Sequence, residues 1–189
     1  MFKQGAVMSK EVITYQGRIV EVVEFPSPDG NKTFEKARRA PGTRLIIPIG
    51  EDSILLTKEY RQEIDGYDFR LPGGKVFDSL QEYNAFIESG ADIIVPATKK
   101  AKEEGKEEVG IEIDELKCVY TSVLGATMQW DLLYFVIKEY KRGKQTLEQG
   151  EDIEVVEITR DEAVEMCLDG RISEERSALV LLRYLTGKI

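Results

Sequence analysis

The sequence predicts an α+β protein in which a mixed sheet lies between helices. Two observations lead to this class: strand-like runs dominate the first third and the middle of the chain, and two helical segments close it. The chain has 189 residues, 42% of them hydrophobic and 8% aromatic. This is enough for one domain with a proper core, or one domain with a smaller appendage.

Strands are predicted where apolar residues alternate with polar ones or form short runs bounded by turn residues. The predicted strands are residues 11–25 with a bend at Gly17, 32–40, 45–49, 53–57, 115–120, 132–139 and 153–158. Residues 26–30, Pro-Ser-Pro-Asp-Gly, form a turn, and Gly50-Glu-Asp joins two runs into a hairpin. We therefore assign residues 1–41 to an N-terminal antiparallel strand region and residues 42–189 to the main domain.

Helices are predicted at residues 80–89, 96–109, 160–169 and 173–185. Pro96 suits the first turn of the second helix, and Gly110 suits its C-terminal cap. The predicted core stripe of the last helix is Leu179, Leu182 and Leu185. Ahead of the helices, Leu71-Pro-Gly-Gly74 is a strand end followed by a loop that only small residues form.

The overall charge excludes several classes of partner. A net charge of −9 and a pI near 4.8 argue against nucleic-acid binding, which needs clustered Lys and Arg. No run of 18 apolar residues is present, so no membrane span is expected. Cys118 and Cys167 lie far apart within apolar patterns, which predicts buried free thiols. Together with the lack of a signal-peptide pattern, this predicts a cytoplasmic protein.

The chain contains no histidine. This excludes a Ser-His-Asp or Cys-His catalytic unit and every metal site that uses histidine ligands. Acid–base chemistry must therefore come from carboxylates, Lys or Tyr.

Three glutamates mark the second predicted helix. Glu104, Glu107 and Glu108 stand at i, i+3 and i+4, so their carboxylates share one face. Exposed like charges at this spacing cost a few tenths of a kcal/mol per pair, whereas a hard divalent cation turns the repulsion into binding. The alternative is a solvated acidic face. Its balancing charges would be Lys99, Lys100, Lys102 and Lys106.

The Gly-Gly loop followed by this helix resembles the Nudix box, Gly-x5-Glu-x7-Arg-Glu-U-x-Glu-Glu-x-Gly-U, where U is apolar. The matching residues of its second half are Glu104, Glu107, Glu108, Gly110 and Ile111. The resemblance implies a Nudix-like α/β/α sandwich with a mixed sheet. It also implies that the three glutamates ligate Mg²⁺ or Mn²⁺, assisted by a main-chain carbonyl near Gly73.

Most of the chain looks like the ADP-ribose pyrophosphatase branch of this family. The segments that carry this similarity are 34–39, 54–61, 150–155, 161–164 and 169–173. The branch implies that the loop before the strand at 153–158 supplies a catalytic glutamate and that Arg61 meets the diphosphate. It also implies that the N-terminal sheet exchanges between the subunits of a homodimer.

The box departs from the family pattern in three places. Glu103 stands where the motif has Arg, and Gly105 stands where it has an apolar residue. The stretch from Gly74 to Glu103 is about fifteen residues longer than the motif, so its middle glutamate has no secure match. The candidates for that position are Asp78, Glu82 and Glu88.

The catalytic base is predicted to be Glu151 or Glu148, with Glu104 as an alternative, because no histidine is present. One acidic position of the relatives falls on Gln149, so the sequence leaves the choice open. The predicted substrate-binding residues are Arg61, Arg39 and Trp130. A guanidinium matches phosphate oxygens, and Trp130 would stack on a base or sugar unless it is a core or interface residue.

These expectations amount to a Mg²⁺-dependent hydrolase of a small nucleoside diphosphate derivative, such as ADP-ribose or a nucleotide sugar. One alternative is a pyrophosphatase that removes nucleoside triphosphates. Another is a module with the same fold that binds a nucleotide without turning it over. The altered positions Glu103 and Gly105 favour that last alternative, while the presence of all three helix glutamates opposes it.

Overall fold

The computed structural model describes residues 11–62 and 64–189. Within these residues the strands are β1 (Val12–Gln16), β2 (Glu21–Pro26), β3 (Thr33–Arg38), β4 (Gly42–Ile49), β5 (Ser53–Arg61), β6 (Gly66–Arg70), β7 (Ile111–Ser122), β8 (Met128–Gln129), β9 (Leu132–Arg142) and β10 (Ile153–Thr159). The α-helices are α1 (Leu80–Ser89), α2 (Ile94–Glu104), α3 (Arg160–Asp169) and α4 (Glu175–Leu185). A π-helical turn, Gly105–Val109, continues α2. The α+β class predicted from the sequence is confirmed.

The chain forms two compact units. The smaller unit contains the described residues up to Pro41 together with Phe77–Ala91 and Val123–Asp131. The larger unit contains Gly42–Val76, Asp92–Ser122 and Leu132–Ile189. The assignment of residues 1–41 and 42–189 to separate domains stays a prediction.

The smaller unit holds a four-stranded sheet in the order β1-β2-β3-β8. Residues 11–25, predicted as one bent strand, form two antiparallel strands that pair Val12 with Glu24. The chain reverses at Gly17, whose N–H donates to the carbonyl oxygen of Val20 at 2.9 Å. The glycine therefore closes a hairpin here, which is tighter than the predicted bend.

The larger unit holds a six-stranded sheet in the order β10-β5-β4-β9-β7, with β6 paired to β5. Strands β4 and β9 run parallel and the other pairs are antiparallel, so the sheet is mixed. The predicted β4–β5 hairpin is confirmed. Strand β6 was missed because it is only five residues long and lies in a largely polar stretch, although Tyr67 and Phe69 alternate with Asp68 and Arg70 as in a strand.

The core of the larger unit lies along the central strands. Apolar runs at 45–47 in β4, 54–56 in β5 and 132–137 in β9 are buried on both faces of the sheet. Helix α2 packs on β4 and β7, and α3 packs on β5 and β10. The α2 end that carries the three glutamates is therefore held against the sheet by buried apolar surface.

Helix α4 corrects one prediction. Leu179 is 49% exposed, and the buried positions are Ser177, Ala178, Val180 and Leu181. Ser177 lies within 3.3 Å of the hydroxyl of buried Tyr134, so a polar contact helps to set which face turns inward. Helical spacing of leucines alone gave the wrong stripe.

No helix among the described residues is long and apolar enough to cross a membrane. Both cysteines are free, as predicted, and each is partly buried.

Candidate active site

The loop that follows β6 requires two glycines. Gly73 has a φ of +142°, and a Cβ there would collide with the carbonyl oxygen of Thr43. A Cβ on Gly74 would collide with the carboxylate of Glu104. The loop backbone can therefore approach both β4 and the acidic helix closely, as the Gly-Gly pair predicted.

The helix that carries the glutamates changes geometry at its end. Helix α2 passes into the π-helical turn at Gly105, and Gly110 ends it in the left-handed conformation with a φ of +71°. A Cβ at Gly105 would lie 2.6 Å from Cδ1 of Ile113 in β7, so the glycine allows close packing on the sheet. Single π-helical turns are frequent at functional sites because they re-aim side chains.

Glu108 is the most constrained of the three glutamates. It is 7% exposed, and its Oε2 accepts a hydrogen bond from the N–H of Gly73 at 2.7 Å. Burial and the neighbouring charge of Glu104 raise the pKa of Glu108 to about 8, although the Gly73 N–H opposes this. A carboxylate this buried needs a cation or a proton.

Glu104 is 8% exposed and lies against Gly74. Its Oε1 is 3.0 Å from Nζ of Lys100, whose other carboxylate neighbour is Glu107, with Oε2 at 3.8 Å. Burial raises the pKa of Glu104, Lys100 lowers it, and the charges of Glu107 and Glu151 raise it again. The predicted metal-binding carboxylates thus share one negatively charged neighbourhood.

The two predicted base residues lie on the loop before β10. The Oε2 of Glu151 accepts a hydrogen bond from the N–H of Glu148 at 2.8 Å, and both side chains are exposed. Glu151 lies close enough to Glu104 to raise the pKa of that carboxyl. Proximity to the acidic helix therefore favours Glu151 over Glu148.

The same loop between β9 and β10 also holds the end of the acidic helix in place. Nε2 of Gln145 donates to the carbonyl oxygen of Glu108 at 2.7 Å and to that of Ile153 at 3.0 Å. The N–H of Thr146 donates to the carbonyl oxygen of Glu107 at 3.0 Å. These bonds satisfy carbonyls that a helix end leaves without partners, and they connect the glutamates to β10.

The glutamates of the acidic helix could offer oxygen ligands to a divalent cation. Among the described residues, no three Asp, Glu, His or Cys side chains converge as a preformed metal cluster. The donor set nevertheless suits Mg²⁺ or Mn²⁺, because Glu104 and Glu108 offer buried carboxylate oxygens, the ligands that hard divalent cations prefer. A cation there would relieve their mutual repulsion.

Two residues near Glu108 were missed by the sequence analysis. Half-buried Arg44 donates from Nη1 to the carbonyl oxygens of Thr43 at 2.8 Å and Gly73 at 3.3 Å. The negative charge of Glu59 raises the pKa of Glu108, and the positive charge of Arg44 lowers it. The Gly73 carbonyl predicted to assist a metal thus already accepts a hydrogen bond from Arg44.

Arg61 is half-buried at the end of β5, with Nη1 3.5 Å from Oε2 of Glu59. Because Glu59 and Arg61 are two residues apart in a strand, their side chains point to the same face. Strand alternation in Lys58-Glu-Tyr-Arg61 was the signal that would have added Glu59 to the predicted site.

The other predicted substrate residues lie together in the smaller unit. The guanidinium of Arg39 stands over the ring of Trp130, 4.3 Å from its centroid. The N–H of Arg39 donates to the carbonyl oxygen of Gln129 at 2.9 Å, and Gln129 donates from Nε2 to the hydroxyl of Tyr83 at 3.3 Å. This pairing holds the tryptophan ring in one orientation.

Half of the lengthened stretch between Gly74 and Glu103, namely Phe77–Ala91, belongs to this smaller unit. Tyr83 of α1 stacks on Phe77 at a centroid distance of 5.5 Å, and Asn84 donates to the buried carboxylate of Glu21 at 3.0 Å. Glu82 accepts at 3.1 Å from the N–H of Asp78, and the N–H of Glu82 donates to Oγ of Ser79, which caps α1. Of the three candidates for the missing glutamate, Glu82 therefore has a capping role.

Comparison with known proteins gives both whole-chain and partial matches. No protein-family model matches the chain. It is 22% identical over 191 residues to a methanol dehydrogenase activator of Bacillus methanolicus, covering 98% of this chain and 94% of that protein. It is 34% identical over 88 residues to a GDP-mannose pyrophosphatase of Enterobacter sp. (strain 638), and 31% identical over 88 residues to one of Klebsiella pneumoniae subsp. pneumoniae. These two matches span 44% of this chain and less than half of each relative.

Among solved structures, an ADP compounds hydrolase superposes with a TM-score of 0.63 at 18% identity. The superposition covers 96% of this chain and 94% of that one. At this identity the likeness establishes the fold alone, over nearly the whole length of both proteins.

Proposed function

Since the chain has the Nudix hydrolase fold that its sequence predicted, we propose that it is a metal-dependent hydrolase of the diphosphate linkage in a nucleoside diphosphate derivative. ADP-ribose or a nucleotide sugar would give a nucleoside monophosphate and a sugar phosphate. The observation that carries the proposal is the pair of buried carboxylates, Glu104 and Glu108, packed against the Gly73-Gly74 loop.

In this proposal Glu104, Glu107 and Glu108 hold Mg²⁺ or Mn²⁺, with the Gly73 carbonyl as a further oxygen. A bound divalent ion would neutralise the diphosphate oxygens and lower the pKa of a water molecule. Arg61 presents its guanidinium to a phosphate oxygen and so orients the diphosphate. Arg39 orients Trp130, whose ring provides a surface for a base or sugar.

The general base in this proposal is Glu151, because its charge acts on Glu104. Glu151→Gln is expected to lower kcat by about a hundredfold or more, the usual effect of losing a general base. Glu148→Gln is the matched control, since it lies on the same loop and is equally exposed. If the control loses more activity than Glu151→Gln, Glu148 is the base.

Trp130 offers a test of substrate contact that is separate from the chemistry. Trp130→Ala is expected to raise KM by about tenfold with kcat little changed, because stacking binds substrate and transition state alike. Trp130→Phe keeps an aromatic ring and should restore most of the affinity. An unchanged KM in Trp130→Ala would remove this residue from the binding site.

The substrate class is tested by a panel of ADP-ribose, GDP-mannose, other nucleotide sugars and nucleoside triphosphates, assayed with Mg²⁺ and with EDTA. The GDP-mannose pyrophosphatase relatives support nucleotide sugars. Release of nucleoside monophosphate from a diphosphate derivative, lost in EDTA, is the expected result. Turnover of triphosphates alone would favour the housecleaning alternative.

A second candidate function is activation of another enzyme. The relative that matches 98% of this chain is a methanol dehydrogenase activator. This candidate predicts that the purified protein raises the rate of a methanol dehydrogenase when the two are mixed. A protein that activates the dehydrogenase while Glu108→Gln does so equally well would act by binding rather than by hydrolysis.

A further inference from the structure

Lys100 occupies an unusual position for a lysine on the acidic helix. Its Nζ lies 3.0 Å from Oε1 of Glu104 and 3.8 Å from Oε2 of Glu107, so one ammonium contacts two of the three glutamates. The Lys100 side chain is 20% exposed, whereas the neighbouring Lys99 side chain is 80% exposed. Lys100 is therefore built into the acidic site, and Lys99 is a surface residue.

The spacing of the helix produces this contact. Lys100 and Glu104 stand at i and i+4 on α2, and the π-helical turn carries Glu107 round to the same ammonium. Lys99 makes the equivalent i, i+4 contact with Glu103 at 3.6 Å, outside the three-glutamate face. One helix thus carries two lysines of similar local geometry, of which only Lys100 meets the predicted metal ligands.

An ammonium 3.0 Å from Oε1 of Glu104 contacts a carboxylate that would also hold a divalent ion. Two cations that share carboxylate oxygens repel each other strongly in a site with little water. The positive charge also stabilises the carboxylates when no metal is bound, because they are buried and close together. A divalent ion and the Lys100 ammonium would therefore compete for the same carboxylates.

We propose that the Lys100 ammonium is an internal counter-ion that neutralises Glu104 and Glu107 in the metal-free protein and must leave them when a divalent ion binds. The inference rests on the proposed function, in which these glutamates hold the metal. Lys100 is a positioning residue that lowers metal affinity and keeps the empty site folded.

The test is the dissociation constant for Mn²⁺, measured by titration calorimetry on the full chain at constant pH. Lys100→Met is expected to tighten Mn²⁺ binding by about tenfold, a coupling of the size usual between two sites. Lys100→Arg keeps the charge and should bind as the unchanged protein does. Lys99→Met removes one positive charge from the same helix without touching Glu104 or Glu107, so it should change affinity by less than about twofold.

Thermal unfolding gives a readout that does not depend on activity. In EDTA, Lys100→Met should unfold at a lower temperature than the unchanged protein, and Mn²⁺ should raise its Tm by more. If Lys100→Met does not fold without metal, Lys100→Gln replaces it in the titration, since it keeps a polar group of similar length.

Equal Mn²⁺ affinity in Lys100→Met and the unchanged protein would overturn the counter-ion role and leave the hydrolase proposal standing. Equal tightening in Lys100→Met and Lys99→Met would also overturn it, because the effect would then be one of total charge. No Mn²⁺ binding by any variant, the unchanged protein included, would overturn both this inference and the metal-dependent function.

Discussion

Glu108 combines burial, a backbone hydrogen bond and negative neighbours in one side chain. Its carboxylate is held by the Gly73 N–H while Glu104 and Glu59 add negative charge around it. A bound cation would offset the free-energy cost of ionising the Glu108 carboxylate. Carboxylates with raised pKa values are frequent at functional sites for this reason. Stability and function therefore oppose each other at this residue.

This opposition predicts a pH dependence in the metal-free protein. The pKa of Glu108 is raised from its ordinary value of 4.5 to about 8. The folded state therefore binds more protons than the unfolded chain between these values. The stability contributed by Glu108 is fully present below about pH 4.5 and is lost as the pH rises through about 8.

Glu108→Gln should remove this dependence. In EDTA near pH 8.5, above that pKa, the variant is expected to unfold at a temperature higher by at least about 3 °C, the shift that about 1 kcal/mol produces in a chain of this size. Scanning calorimetry of both proteins across the pH range measures the effect. Parallel Tm curves for the two proteins would show that Glu108 is not the titrating group.

Spacing along the helix predicted Glu104, Glu107 and Glu108, but it gave Lys100 only a general balancing role. Arg44 and Glu59 were not found because they reach Glu108 through the sheet, from β4 and β5, which are distant in sequence. The spacing of residues along one helix predicts which side chains share a face. Side chains that come from strands distant in sequence can be identified only once the fold is known.

At the scale of elements, the Gly73-Gly74 loop lies against the carboxylates of Glu104 and Glu108 at the end of the acidic helix. Sequence patterns located nearly every strand and helix of the larger unit, since apolar runs such as 132–137 are buried on both sides. They missed β6, the π-helical geometry and the inward face of α4. In α4 a tertiary contact between Ser177 and Tyr134 accompanies a buried face that the leucine spacing does not show.

Gly73→Ala tests the loop. The backbone has a φ of +142°, and a Cβ would meet the Thr43 carbonyl. We expect a loss of about 2–4 kcal/mol in the free energy of unfolding, from strain and displacement of β4. Gly125→Ala is the control, because no atom lies within 4 Å of a Cβ at that position. Denaturant unfolding that gives equal stability for both variants would contradict the close approach.

At the scale of the whole molecule, half of the lengthened stretch between Gly74 and Glu103 is part of the smaller unit. Residues 77–91 pack with the N-terminal strands and the Val123–Asp131 segment, so the added residues belong to a folded unit. Exposed apolar side chains on its first strands include Val12, Ile13 and Tyr15. Strand β1 is also the last strand of its sheet on that side, and edge strands can pair with a strand of another chain.

The homodimer predicted from the N-terminal strands is tested by light scattering. We expect a mass of twice the 21.4 kDa of one chain. Replacing Val12, Ile13 and Tyr15 together by Ser should lower the mass toward that of one chain, because the exposed apolar side chains are removed. A single-chain mass for the unchanged protein at assay concentrations would reject the dimer.

The central claim is hydrolysis of a diphosphate linkage by a metal ion held on Glu108 and its neighbours. Its most direct test is the rate of nucleoside monophosphate release from ADP-ribose and GDP-mannose with Mg²⁺, for the unchanged protein and Glu108→Gln side by side. We predict turnover that EDTA abolishes and that the variant loses by about a hundredfold or more, equivalent to about 3 kcal/mol. Equal rates in the two proteins, or no release by a folded protein that binds Mn²⁺, would contradict the claim.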